Sequence, residues 1–271
     1  MKIIQKEVKQ IITKSNLPDA DFVINPYIGC QHSCIYCYAD FMKRFTGHSS
    51  EKWGDFVDVK INGHETIKNK KFNNSSILLG SVTDPYQAIE AKYKMTQQIL
   101  GKLVSIQPNL EILTKSKLIL RDIDLLKKFN NLRIGISLNT MDDNISKYLE
   151  PHASPATSRI NTLRELHNAG LKTYLFISPI FPEITDFKAL IESTHSFVDK
   201  FLFENLNIRA NNRSAIYTFI KKNNPNLIEL YNELKPGCNY WENLKIQILD
   251  YCNSRALKYQ IYFNHAEERK N

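Results

Sequence analysis

At 271 residues, with 42% hydrophobic and 11% aromatic side chains, the sequence has enough apolar material for one large domain, which excludes an intrinsically disordered chain. Its 36 Lys and Arg against 28 Asp and Glu leave a formal charge of +8, which suits either a polyanionic partner or an evenly Lys-rich surface. No run nears the roughly 18 apolar residues of a membrane span. Residues 1–16 scatter Lys2, Lys6, Lys9 and Lys14 where a secretory signal would need an apolar block, so the expected location is cytoplasmic and no membrane partner is expected.

From Phe22 onward, short β-type runs alternate with segments of helical period, the pattern of parallel βα units. The runs are 22–24, 77–82, 110–114, 133–138, 172–178 and 201–206, several of them apolar at successive positions as strands buried on both faces should be. Between them Met95, Ile99 and Leu103, then Ile119, Ile123 and Leu126, then Phe187, Leu190, Ile191 and Thr194, fall at helical spacing. A helix with Ser154 as N-cap and Pro155 at its first position carries Ile160, Leu163 and Leu166 and stops at Gly170. Residues 51–76 interrupt the alternation with a strand over 56–61, a turn at Asn62-Gly63 and a short Lys-rich helix. The predicted fold is α/β, a partial (β/α)6 barrel. Residues 1–21 form an N-terminal extension, 22–208 the barrel, and 209–271 a C-terminal helical/β cap across its open side, with a last helix near 240–255 and a β-like 259–263.

Cys30, Cys34 and Cys37 fall within eight residues, directly after the first predicted strand, where an α/β barrel gathers its active-site loops. An odd cysteine total makes a poor disulfide framework and suits reduced, metal-binding thiols. Three thiolates at this spacing bind three irons of a cubane and leave the fourth open, a Lewis-acid position that suits the amino and carboxylate groups of S-adenosylmethionine. A structural zinc site completed by His32 or His48 is the rival, although a second paired half is missing. Cys252 lies on or beside the stripe Trp241, Leu244, Ile248 and Tyr251, as a core residue would, and with Cys238 offers too few thiols for an auxiliary cluster.

Cys-x3-Cys-x2-Cys with an aromatic before the third cysteine resembles the signature of the radical SAM superfamily. That resemblance implies a [4Fe-4S] cluster, reductive cleavage of S-adenosylmethionine, hydrogen abstraction from a substrate, and an electron donor such as flavodoxin or ferredoxin. Tyr36 would lie near the adenine. Val59-Lys60-x-Asn62, Ser81-Val-Thr-Asp-Pro-Tyr-Gln87, Leu113-Thr-Lys-Ser116, Ile136-Ser137, Leu149-Glu-Pro151 and Ser178-Pro-Ile-x-Pro182 resemble the strand-end motifs of the spore photoproduct lyase-like branch, over roughly residues 22–208. By that resemblance Lys115 and Ser137 hold the cofactor's carboxylate, and Thr83 and Asp84 meet its amino group or ribose. Each also has a plainer reading: Asp84 as a helix N-cap, Lys115 as a solvated cation, Ser137 as a backbone cap. Glu150 and Arg159 are expected to pair and to organise the fourth loop and helix.

Spore photoproduct lyases carry a hydrogen-donating cysteine where this chain has Val82, so repair of thymine photoproducts does not transfer with the fold. Tyr86 and Tyr217 are the candidate radical relays. Arg209, Arg213, Lys221 and Lys222, with Tyr217 and Phe219 among them, either line the barrel mouth, cations for phosphates and an aromatic for a base, or form a solvated polar linker. The leading expectation is a lyase-like enzyme acting on nucleic acid, in repair or modification. A peptide or small-metabolite substrate is the alternative, and an iron-sulfur electron carrier or sensor the further one.

Overall fold

The computed structural model describes residues 1–68, 72–234 and 238–263. Among them eleven strands form two sheets: β1 (Lys2–Lys6), β2 (Ile12–Lys14), β3 (Phe22–Ile24), β4 (Tyr27–Ile28), β5 (Phe56–Lys60), β6 (Ser76–Leu79), β7 (Asn109–Thr114), β8 (Leu132–Ser137), β9 (Thr173–Ile180), β10 (Lys200–Asn205) and β11 (Tyr259–Tyr262). The large sheet runs β11-β10-β9-β8-β7-β6-β3-β2, parallel throughout except for the antiparallel β2-β3 pair. It does not close. Its six inner parallel strands are the six runs read from the sequence, and β8 and β9 are buried almost throughout, as their unbroken apolar character requires.

Helices cover one side of the sheet. Met95–Leu103, Ala156–Asn168, Phe187–Thr194 and Asn239–Asn253 bury Ile99, Leu163, Leu190 and Ile248 in the same core as Ile112, Ile136, Ile177 and Phe203 of the strands. The segment around Ile119 departs from the expected α-helix: it is a 3-10 helix, Lys117–Asp122, followed by a single α-turn, Ile123–Leu126. Ser154 does not cap its helix. Its hydroxyl accepts from the Lys117 amide at 2.9 Å, and Asp143 instead receives the Thr157 amide at 3.0 Å.

The interruption at residues 51–76 has a use. β5 pairs in parallel with β1 and antiparallel with β4, giving a three-stranded sheet beside the motif cysteines. After it comes a 3-10 turn, Gly63–Thr66; the expected Lys-rich helix falls largely at 69–71, outside the described residues. The C-terminal β-like run does not lie across an open side but extends the sheet as β11, parallel to β10. The β2-β3 loop reaches over to it, where Asp19 accepts from Tyr262 Oη at 2.6 Å and Gln260 Nε2 at 3.3 Å. Among the described residues no helix is long and apolar enough to cross a membrane.

Candidate active site

A cavity of about 880 Å³ occupies the concave side of the large sheet, within the size range of ligand sites. Cys30, Cys34, Tyr36, Cys37, Thr83, Asp84, Lys115, Ser137, Ser178 and Glu204 all line it, and the last six come from the C-terminal ends of β6 to β10 or from the loops that follow them. Side chains from five parallel strands converge there because every strand of a parallel sheet ends on the same rim.

The cysteine loop is clamped from several directions. Gly29, at φ +87°, lies so close to β5 that a Cβ would stand 2.4 Å from the Phe56 carbonyl oxygen. Gln87, fully buried, donates to the Gly29 carbonyl and accepts from the Gln31 amide at 2.8 Å. Thr83 Oγ1 donates to that same carbonyl at 2.5 Å. On the far side Asn212 Nδ2 donates to the Tyr36 carbonyl at 3.0 Å. None of these amide clamps is legible in the sequence, since each acts on backbone far from it along the chain.

Asp84 is a knot rather than a free ligand. Its carboxylate accepts from the Tyr86 amide at 2.8 Å, Thr114 Oγ1 at 2.6 Å and the Lys115 amide at 2.7 Å, with His32 Nδ1 at 3.3 Å. Ser137 Oγ likewise donates to the Ser178 carbonyl at 3.2 Å. Thr83, Asp84 and Ser137 therefore face the cavity with their side chains already engaged by the chain.

Lys115 is different. Its nearest carboxylate oxygen, on Glu150, stands 3.9 Å away, too far for a good hydrogen bond. Burial works against its charge, but the anionic surroundings, Glu150 first and then Cys34 and Asp84, together outweigh that and hold the ammonium above its usual range. Glu150 is itself buried, kept below the usual carboxylate range by Arg159 and Lys115 against its own desolvation, and it accepts from the Tyr36 hydroxyl. Arg159 also donates to the Ser137 carbonyl at 2.8 Å and to Ser146 Oγ at 2.6 Å. The expected Glu150–Arg159 pair is present, and it carries Tyr36 and Lys115 with it.

Burial pushes the Cys30 and Cys37 thiols up to about 12, and raises Cys34 as well, with Asp84, Cys34 and Glu150 as the respective next contributors. Such thiols ionise only beside a cationic centre. Among the described residues no three His, Cys, Asp or Glu side chains close on a single ion. Three thiols on one loop suit a cluster that offers each sulfur its own iron. His32 is turned to Asp84, and His48 Nε2 to Asp58 at 2.9 Å, so neither completes a zinc site.

The two tyrosines singled out as relays do not line the cavity. Tyr86 is fully buried in the core, facing Asp122, and Tyr217 donates to the Tyr231 carbonyl at 2.8 Å. Phe219 is also core, and Arg213 stacks on Tyr217, so of the basic group following β10 only Arg209 reaches the cavity. Tyr38 and Glu204, which the sequence reading passed over, do line it; Tyr38 donates to the Ser81 carbonyl and Ser178 to Glu204. Val82 lines the cavity too, and Cys238 and Cys252 do not.

Residues 24–193 match the family described as the Radical SAM superfamily. An uncharacterised protein of Methanocaldococcus jannaschii is 40% identical over 85% of this chain and 86% of its own length. A protein of Pseudomonas phage M6 named radical SAM Nalpha-GlyT isomerase is 30% identical over 70% of this chain, which spans 38% of that protein. Among solved structures, spore photoproduct lyase complexed with dinucleoside spore photoproduct shares the fold at a TM-score of 0.71, with 16% identity over 97% of this chain and 82% of that one. Streptococcus suis SuiB bound to S-adenosylmethionine does so at 0.61, with 15% identity over 90% and 50%. With a cysteine triad on the cavity wall, a parallel sheet behind it and this match over most of the sheet, the chain belongs to the radical SAM superfamily, as an enzyme that works with a [4Fe-4S] cluster and S-adenosylmethionine.

Proposed function

We propose that Cys30, Cys34 and Cys37 hold the cluster, that Lys115 and Tyr36 receive S-adenosylmethionine, and that the substrate is a nucleic acid. The carrying observation is a single cavity that runs from the three thiols and the loosely paired Lys115 ammonium to Arg209 at its rim. When bound, the cluster supplies the electron that splits the sulfonium and yields the hydrogen-abstracting radical. That electron comes from a donor protein such as flavodoxin or ferredoxin.

The chain's own part is positioning. Lys115 is the cation for the cofactor's carboxylate, because its charge is secured by Glu150 while its hydrogen bonds are not used up. Glu150 fixes the Tyr36 ring, which stands edge-on to Phe181 with centroids 5.7 Å apart and closes the adenine side of the cavity. Leu113, Val82, Phe176 and Pro179 supply walls with no S–H or O–H hydrogen of their own, as a site for hydrogen abstraction needs. Val82 makes modification of a nucleotide a better reading than thiol-dependent photoproduct repair.

Nucleic acid is favoured by Arg209 at the rim, by the formal charge of +8, and by the likeness in fold to a lyase whose structure holds a dinucleoside. After anaerobic reconstitution the protein should carry about four iron and four sulfide, and Cys34→Ala should abolish its brown chromophore. Reduced with dithionite, it should release 5'-deoxyadenosine from S-adenosylmethionine. An intact cluster that never does so would indicate a carrier or sensor. Oligonucleotide binding should weaken steeply from low to physiological salt. Absence of binding at low salt would move the reading to a peptide or small metabolite.

A further inference from the structure

Among the described residues the large aromatic side chains left exposed lie on one short stretch: Tyr38, Phe41 and Phe45, at 43%, 38% and 76%. They follow the third motif cysteine directly, on a 3-10 turn, Tyr38–Met42, that runs into a one-turn helix, Lys43–Thr46. Spacings of three and four residues set the rings in a row. Tyr38 and Phe41 are stacked with centroids 6.5 Å apart, and Phe45 meets Phe41 edge-on at 6.4 Å.

The row has direction. Its inner end, Tyr38, lines the cavity, anchored by its hydroxyl on the Ser81 carbonyl, while its outer end, Phe45, is the most exposed ring of the three. Cations flank both ends. Arg44 is exposed beside Phe45, and Arg209 stands on the wall of the cavity that Tyr38 also lines. Lys43 is already held by Asp40 at 2.8 Å and is not counted among them.

We propose that this row is a stacking platform for single-stranded nucleic acid: the target nucleotide enters the cavity, its neighbours lie on Phe41 and Phe45, and Arg44 and Arg209 take phosphates. The proposal rests on the nucleic-acid reading above and adds the strand form and the route. Aromatic rings bind bases through their faces whatever the sequence, and a duplex offers no free faces because its bases are stacked on one another. A folded electron donor seated on the row would cover the cavity rim from which the row starts, whereas a strand with one nucleotide in the cavity has to leave along some such path.

The test uses the anaerobically reconstituted protein, a short labelled oligothymidylate and a duplex of equal length. Phe41→Ala and Phe45→Ala should each weaken single-strand binding by about 5- to 150-fold, with the salt slope unchanged and duplex binding unaffected. Phe45→Trp should keep the affinity. Arg44→Ala should flatten the salt slope by about one phosphate. Both phenylalanines are exposed, so the variants should fold, and an unchanged urea unfolding midpoint would establish that. Wild-type single-strand affinity in both alanine variants would overturn the platform while leaving the nucleic-acid reading intact. Failure of the unmodified protein to bind any oligonucleotide would overturn that reading and the platform together. Normal strand binding with slowed reduction by flavodoxin would reassign the row to the electron donor.

Discussion

Arg159 Nη2 stands 2.5 Å from Glu150 Oε2, and neither side chain reaches solvent. Around that contact, one carboxylate gathers the Tyr36 hydroxyl and the Lys115 ammonium, so a helix behind the sheet sets the position of two groups on the cavity wall. Removing one member of a buried pair strands the other. Arg159→Met should cost about 3–5 kcal/mol of unfolding free energy, and adding Glu150→Gln should recover part of it. Urea unfolding of the three variants measures this; strictly additive losses would mean that the two residues act separately.

Lys115 lines the cavity beside the cysteines, with its nearest carboxylate oxygen 3.9 Å away. Lys115→Ala should weaken S-adenosylmethionine binding by about 10- to 150-fold, the equivalent of one charge-assisted hydrogen bond, with the brown chromophore retained. Equilibrium dialysis against the reconstituted protein is the measurement. An unchanged dissociation constant would place the cofactor's carboxylate elsewhere.

Gly135 lies on β8 directly beneath the Tyr174 ring, where a Cβ would stand 2.1 Å from Tyr174 Cζ. The ring crosses the strand so that its hydroxyl can reach Glu111 Oε1 at 2.7 Å, on the cavity wall. Gly135→Ala should destabilise the fold by about 1–3 kcal/mol through overpacking. Tyr174→Ala in the same chain should relieve most of that strain, which thermal or urea unfolding of the single and double variants would register.

Lys60 sits where burial lowers its ammonium to about 8, partly countered by Asp58, with Nζ donating to the Asn25 carbonyl at 2.7 Å. An unfolded lysine titrates near 10.4. Between about 8 and 10.4 the unfolded chain therefore holds a proton that the folded chain has lost, and stability rises with pH across that window. Lys60→Met should remove this rise, so the unfolding free energy of the variant minus that of the parent should fall as pH climbs from 8 to 10. A pH-independent difference would show that the depressed ionisation is not felt.

The six inner strands could be read from the sequence because strands buried on both faces leave apolar residues at successive positions, as in 174–177 and 201–203. β1 could not. It is an edge strand with Lys2 and Gln5 among its residues, and it exists only because β5 offers it a partner more than fifty residues away. The cysteine triad stood out by its spacing, and Lys115, Ser137, Thr83 and Asp84 by the resemblance of their motifs to those of the spore photoproduct lyase-like branch; all line the cavity. What spacing does not reveal is which of them are already engaged. Asp84 and Asn212 show why: their partners are main-chain or side-chain groups brought together only by the closed fold, in the case of Asn212 and Tyr36 across 176 positions. Tyr217 failed as a cavity residue for a related reason, since the face of its helix that meets the barrel is the one carrying Ile216, Phe219 and Ile220.

Asp19, just ahead of the N-terminal end of β3, joins the two edges of an open sheet through Tyr262 and Gln260 of β11. A curved wall tied at one rim behaves like a clothes-peg: its tied end keeps a fixed width, and any widening is greatest at the opposite end. The opposite end here carries the cysteines, Lys115 and Arg209. The seam between β2 and β11 is therefore fixed in width where Asp19 holds it and freer toward the reactive rim.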